Sequence, residues 1–350
     1  MKVFVVGANG FIGSALVHRI LTTTDWQVVG LDTGEHRLIS SLGHRSLAFR
    51  QGDLTVERGW VDRQIRECDV VVPLAAIAVP VSYLRDPLSV YELNFEENLR
   101  IVRQAARSAT RVVFPSSSEV YGMSTDPQLD EDTSPLVHGP IHKQRWIYAT
   151  SKQLLDRLIW AYGASEGLRF TLFRPFNWMG PHLDDLAAAP DGGCRVVTRF
   201  LGNILQGRPI ELVDGGHQRR AFTYIDDGID CLMKILKDRS GAADGRIFNI
   251  GNPSNDIAIR DLASALIDAV AAHPQWRERA LATPLVEVPA DEHYGPGYED
   301  VRTRLPSIER ARTLLGWQPR TALDEALRRT VAHHCADSGP QHGALIQPAR

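Results

Sequence analysis

Tyr148 and Lys152 stand four residues apart in YATSK, inside a run whose apolar spacing predicts a helix over residues 147–166. At i and i+4 the two side chains share one helix face. An ammonium close to a phenol stabilises the phenolate, so this pair could supply a general base. A second cluster lies upstream. RVVF has the pattern of a buried strand, and PSSSEVYG follows it directly, placing Ser116, Ser117, Ser118 and Glu119 at the strand's carboxyl edge. Open α/β sheets bind their ligands at that edge. Ser116 has the plainer expectation, a turn-capping hydroxyl; Ser117, Ser118 and Glu119 are expected in a site.

The N-terminal strand KVFVV ends in GANGFIG, which sets Gly7, Gly10 and Gly13 at GxxGxxG spacing where a strand should turn into a helix. The first glycine permits the tight turn, the second lets a pyrophosphate approach the backbone, and the third lets helix and strand pack closely. A plain packing turn is the competing reading of the glycines alone. The next strand, QVVGLD, ends in Asp32, where a carboxylate accepts the ribose hydroxyls of an adenosine. That carboxylate repels a 2′-phosphate and favours NAD; Arg37 and Arg45 nearby are the argument for NADP. Asp53 and Leu54 close the third strand at the place of adenine-side contacts, with a polar turn as the alternative.

The elements that must position these residues alternate. Apolar strand runs KVFVVG, QVVGLD, LAFRQGD, DVVVPLAA, RVVF and RFTLFRP are separated by helical patterns near residues 14–22, 61–67, 88–107 and 147–166. Continuous apolar strands between helices predict a doubly wound parallel sheet, the Rossmann arrangement of an α/β protein. RIFNIG, at 246–251, should return to the same sheet. Residues 177–220, rich in Gly, Pro and Asp, and residues 257–334, helical without regular strand alternation, should form a smaller discontinuous substrate lobe. The nucleotide domain is then 1–176 plus 221–256. The tail from 335 to 350 lacks periodicity and is expected to be disordered.

Composition sets the outer limits. With 350 residues, 43% apolar, the chain can bury a large core. A formal net charge of −3 without a basic block gives no footprint for nucleic acid or an anionic membrane. No apolar stretch approaches the roughly 18 residues of a spanning helix, and no signal-peptide pattern opens the chain, so the expectation is a cytoplasmic protein. Cys68, Cys194, Cys231 and Cys335 form no CxxC pair and have no histidine at ligand spacing, which argues against a metal site or a disulfide framework.

GANGFIG, Asp32, GDLT, PLAAIA, the pair Asn94 and Asn98, PSSSEVYG, YATSK, FRPFNWMGP and FNIGNP together resemble the extended short-chain dehydrogenase/reductases of nucleotide sugars, over nearly the whole chain to Ala332. NFEENLRI, RWIYATSKQLLDRLIWAYG and FTLFRPFNWMGP are most similar to UDP-glucuronic acid oxidative decarboxylases, as in the decarboxylase half of the bifunctional 4-amino-arabinose lipid A pathway enzyme. The resemblance implies NAD held by Gly7, Asn9, Gly10, Phe11, Ile12, Gly13, Asp32, Asp53, Leu54, Leu74, Ala75, Ala76, Tyr148 and Lys152. It implies a UDP-sugar held by Ala78, Tyr83, Ser117, Ser118, Arg145, Asn177, Tyr298 and the segment Glu211, Leu212, Val213, Asp214, Gly215, Gly216, His217, Gln218, Arg219 and Arg220, with Arg219 and Arg220 left to grip phosphate. In catalysis Ser117 would bond the sugar O4 while Tyr148 takes its proton and NAD takes the C4 hydride. Ser118, Glu119 and Arg304, from DVRTRLPS, match the decarboxylase residues. A homodimer through the 88–107 and 147–166 helices is implied by the same analogy.

This sequence departs from that pattern at Ser117, where the resembled enzyme has threonine, and at Glu211 and His217, where it has lysines. The hydroxyl survives the first change; positive charge at the diphosphate end is lost in the others. A UDP-glucuronate 4-epimerase or a nucleotide-sugar dehydratase is the competing enzyme, disfavoured because dehydratases carry Asp-Glu where Ser118 and Glu119 stand and epimerases lack the carboxylate. A dinucleotide-sensing regulatory protein is the competing non-enzyme; Ser117, Tyr148 and Lys152 argue against it. The product, UDP-4-keto-pentose or UDP-xylose, is left open.

Overall fold

The computed structural model describes residues 1–189, 193–295 and 298–337. A central sheet of seven parallel strands contains β1 Lys2–Val6, β2 Gln27–Asp32, β3 Leu47–Gln51, β4 Val70–Pro73, β5 Arg111–Pro115, β6 Phe170–Pro175 and β7 Arg246–Ile250, in the order β7-β6-β5-β4-β1-β2-β3. The valine-rich strands suit this arrangement because crossover helices cover both faces. β1 shows the consequence: Val3 and Val5 enter one core, Phe4 and Val6 the other. The first core takes α1 (Phe11–Thr23) through Leu16, Val17 and Ile20. The second takes α2 (Arg58–Glu67), α3 (Asn98–Arg107) and α4 (Trp146–Glu166) through Val61, Ile65, Ile101, Val102, Leu155 and Ile159. The doubly wound sheet is as expected, and β7 returns beside β6 with Arg246 opposite Thr171. Because the chain winds outward from β1 to β3 and then returns at β4, a crevice opens at the carboxyl ends of β1 and β4.

The 88–107 pattern is not one uniform helix. Pro87–Tyr91 is α-helical, Glu92–Glu97 is a π-turn, and α3 follows. π-turns concentrate where side chains serve a site, and here two asparagines do so. Asn94 accepts from the Ile77 N–H at 2.8 Å and donates to its carbonyl at 2.9 Å, while Asn98 donates to the Ala75 carbonyl at 3.2 Å. The loop after β4 is thereby fixed at the crevice.

Beyond the sheet, α5 (Val196–Leu205) precedes a strand Ile210–Val213 that pairs in parallel with Leu285–Val288. Arg219–Ala221 pairs antiparallel with Asp256–Ala258 and parallel with Thr303–Arg304. Of these, Leu285–Val288 and Thr303–Arg304 were not legible in the helical pattern of residues 257–334. The last helix among the described residues, α6 (Leu323–Asp337), runs through Cys335, which is 2% exposed. Residues 335–337 are therefore helical, correcting the expected frayed tail there, because Val331 and Cys335 share a buried face. Residues 338–350 lie outside the described residues. Among the described residues no helix is long and apolar enough to cross a membrane.

Candidate active site

The nucleotide end is built on backbone. Gly7 has φ +84°, and a Cβ on it would lie 2.6 Å from the Ala75 nitrogen; one on Gly13 would lie 2.1 Å from the Gly7 carbonyl oxygen. Only glycine fits either place. α1 begins at this turn with no side-chain cap and no acidic residue in its first turn, so its N–H groups are left for an anion. Asp32 accepts from the Asn9 N–H at 2.8 Å, and the Asn9 side chain accepts from the Arg37 N–H at 2.7 Å. Asp53 accepts from both the N–H and the hydroxyl of Thr55 at 2.7 Å, so it closes its own turn, as the polar-turn alternative has it. Leu54 is buried in the cluster of Phe4 and Val29.

From this turn a cavity of about 450 Å³ extends past the end of β5. Gly7, Gly10, Phe11, Ile12, Gly13, Leu74, Ala76, Ala78 and Tyr83 line its near side; Ser117, Ser118, Glu119, Arg145, Tyr148, Lys152, Asn177, Tyr298 and Arg304 line its centre. Ala75 sits behind Gly7. The opening residues of PSSSEVYG divide as the strand ends. Ser116 donates to Asp156 at 2.6 Å, a structural bond. Ser117 accepts from the Glu119 N–H at 3.1 Å, capping the 3₁₀ turn Ser118–Tyr121, and its hydroxyl also meets that of Tyr148.

The Tyr148 ring lies flat on Tyr83, centroids 4.9 Å apart at 7°. Burial pushes its hydroxyl up to about 12, against the Ser117 hydrogen bond. The expected lowering by Lys152 is not what the geometry delivers. The ammonium donates to the Pro115 carbonyl at 2.8 Å, and burial pushes it down to about 8, with Asp156 opposing.

Glu119 is gripped by two buried guanidinium groups, Arg145 at 2.9 Å and Arg304. Burial works against its charged form, but Arg304 and Arg145 overcome it and hold the carboxyl well below the usual carboxylate range. Arg304 arrives from far along the chain because Thr303–Arg304 pairs with Arg219–Arg220, setting Arg304 opposite Arg220. Nε and Nη1 of Arg145 and Nε and Nη2 of Arg304 are buried without a hydrogen-bond partner.

The distal wall corrects part of the sequence reading. Of the segment 211–220, Glu211, Val213, Gln218 and Arg220 line the cavity. Leu212 is in the core, Asp214 accepts from the Ala290 N–H at 3.0 Å, and Gly215 and Gly216 turn the chain at φ +74° and +70° before His217. Arg219 points elsewhere, bonded to Asp256 at 2.7 Å. Arg220 is spent on Asp300 at 2.6 Å and the Val301 carbonyl at 2.7 Å. Neither is a free phosphate clamp.

A model of the NAD dependent epimerase/dehydratase family matches residues 3–251. The chain belongs to that family. Among solved structures, PbgP3 protein from Burkholderia pseudomallei is 49% identical, over 96% of this chain and 97% of that one, with a TM-score of 0.87. A UDP-glucose 4-epimerase from Thermus thermophilus, in complex with NAD, is 25% identical over 95% and 98%, with a TM-score of 0.76. DesIV, a dTDP-glucose 4,6-dehydratase from Streptomyces venezuelae with NAD and TYD bound, is 24% identical over 97% and 98% with a TM-score of 0.81, a likeness of fold.

NAD is the cofactor of this epimerase/dehydratase chain, and the glycine turn, the uncapped α1 and Asp32 fit it. Sequence reasoning missed several residues of the same cavity: Arg195, Arg199, Tyr294 and Asp300. Arg195 pairs with Asp184 at 2.7 Å and lies 5.7 Å from the Phe11 ring centroid. Arg195 and Arg199 are spaced i and i+4 at the start of α5, and that spacing was the one signal available for them.

Proposed function

We propose that the protein is an NAD-dependent UDP-glucuronic acid decarboxylase. The observation that carries this reading is Glu119 held between Arg145 and Arg304 beside the Ser117 and Tyr148 hydroxyls. Two guanidinium groups against one carboxylate leave a net positive charge, which suits an anionic sugar substituent. A neutral hexose gives that charge nothing to pair with.

The chemistry follows from what each residue can hold. Tyr148 receives the proton of the sugar 4-hydroxyl while Ser117 keeps that oxygen in place. NAD, when bound, supplies the hydride acceptor for sugar C4 and a positive ring charge that offsets the burial of Tyr148. The resulting ketone is β to the C5 carboxylate. When the bond from C5 to the carboxylate carbon breaks, carbon dioxide leaves and the electron pair moves onto O4, where the Tyr148 and Ser117 hydroxyls stabilise the enolate. Glu119 stays ionised, so it is no acid; its task is to aim the arginines. Arg304 is the proposed proton donor to C5: burial lowers its guanidinium from the ordinary value, with Glu119 opposing.

Incubation with NAD and UDP-glucuronic acid should release carbon dioxide. Mass spectrometry of the product separates UDP-4-keto-pentose, with NADH released, from UDP-xylose, with NADH consumed. Epimerised uronate without carbon dioxide would favour the epimerase reading instead. Leu88, Leu154 and Trp160 are exposed apolar residues on the two helical runs proposed for a homodimer, and sedimentation at equilibrium tests that assembly.

A further inference from the structure

On the distal wall, Glu211 accepts from Nδ1 of His293 at 2.7 Å, and the other ring nitrogen of His293 meets Nη1 of Arg199. A guanidinium only donates, so Nε2 of His293 must be the acceptor and its proton must sit on Nδ1, directed at Glu211. The imidazole is thus neutral and holds Arg199 by its lone pair. Burial supports this state: it lowers the His293 pKa, with Arg199 acting in the same direction and Glu211 opposing. Tyr294, 3.4 Å from Arg199 through its hydroxyl, braces the guanidinium and stacks on Tyr298 at 3.8 Å.

Each of the other arginines of the cavity has a carboxylate partner, although Arg145 and Arg304 share one, Glu119, and keep a net positive charge between them. Arg220 has Asp300, and Arg195 has Asp184. Among the described residues, Arg199 has a neutral imidazole and a phenol in place of a carboxylate. A cation anchored by neutral groups keeps its full charge for a ligand, whereas one in an ion pair has spent most of it.

We propose that Arg199 is the residue that receives the diphosphate of the nucleotide sugar, and that the Glu211–His293 pair is a positioning device that aims it. The proposal rests on the nucleotide-sugar reading above. It also gives Glu211 a purpose: an acid on the wall of an anion site is tolerable when its charge is turned toward a histidine that orients the cation of that site. Glu211 and His293 act through Arg199 and do not themselves contact the ligand.

The test is calorimetry of uridine 5′-diphosphate and, separately, NAD on the full chain. Arg199→Ala should weaken UDP at least tenfold and leave NAD affinity unchanged, which also reports that the variant is folded. His293→Phe keeps a ring but removes both nitrogens, and should weaken UDP several-fold. His293→Gln should recover most of that loss, because its amide can donate to Glu211 and accept from Arg199. In the double variant Arg199→Ala with His293→Phe, the loss should be no greater than for Arg199→Ala alone, since a positioning residue has nothing left to position. Unchanged UDP binding by Arg199→Ala, or fully additive losses in the double variant, would overturn this inference while leaving the nucleotide-sugar reading intact. A wild-type chain that binds NAD but not UDP would overturn both.

Discussion

Replacing Ser118 with Asp places a carboxylate where the proposed substrate must bring its own. Ser118 is 3% exposed, opens the 3₁₀ turn Ser118–Tyr121 and lines the cavity beside Glu119. The wild-type cluster of Glu119, Arg145 and Arg304 carries one net positive charge; the new carboxylate cancels it. For two unit charges about 4 Å apart at an effective dielectric near 20, the repulsion is about 4 kcal/mol. Protonation offers no cheaper escape, since forming the acid of a group with pKa near 4 at pH 7 also costs about 4 kcal/mol. The expected loss is therefore on the order of a thousandfold in affinity for UDP-glucuronic acid. UDP-glucose, uncharged at C6, should bind Ser118→Asp nearly as it binds wild type. Ser118→Asn controls for size, and calorimetry with NAD present measures all the affinities. If Ser118→Asp binds both sugars as wild type does, the substrate carboxylate does not lie at Ser118 and the charge argument fails.

Tyr148→Phe keeps the ring against Tyr83 but removes the O4 proton acceptor; turnover should fall at least about a hundredfold with UDP-sugar affinity held within a few-fold. Normal turnover in that variant excludes Tyr148 as the base. Asp32→Ala should weaken NAD through two lost ribose hydrogen bonds to a charged acceptor, each worth about 1.5–3 kcal/mol, read by titration; unaltered affinity would misplace the adenosine site. Lys152 is pushed down to about 8 by burial, so kcat/KM should fall as pH rises through that value and the ammonium is lost, and a flat profile there speaks against a role for its charge. Its stability contribution runs the other way. Between about pH 8 and the unfolded lysine value near 10.4, the unfolded chain binds the extra proton, so stability rises with pH in that window.

The parallel sheet was legible because its strands are continuous apolar runs whose alternate residues have a core on each side, and the glycine turn because its spacing coincides with a strand end. Helix starts were less so. α1 begins at Phe11, which is buried in the core but stands inside the glycine turn and so reads as part of that motif, and α2 begins at Arg58, whose exposed first residues precede the apolar periodicity. The short strands Asp256–Ala258, Leu285–Val288 and Thr303–Arg304 escaped detection because each is stabilised by its pairing with residues 210–221, and no local pattern marks so brief a strand.

The site divides along the same physical line. Residues next to one another in a strand-end motif, such as Ser117, Ser118 and Glu119, keep their order in space, so local sequence reports them well. What local sequence does not report is how charges are allocated among distant partners. Arg219 and Arg220 read as an equal pair, yet they alternate across a strand: Arg219 meets Asp256, while Arg220 turns inward to Asp300. Arg304 would pass as a surface arginine without its register opposite Arg220, and that register is what delivers it to Glu119. Arg199 carried no signal beyond its helix spacing, because the property that matters is which neighbours hold it, a neutral ring and a phenol instead of a carboxylate. A cation's availability to a ligand is the charge left after every neighbouring carboxylate has been assigned, and that assignment exists only once the short strands have closed.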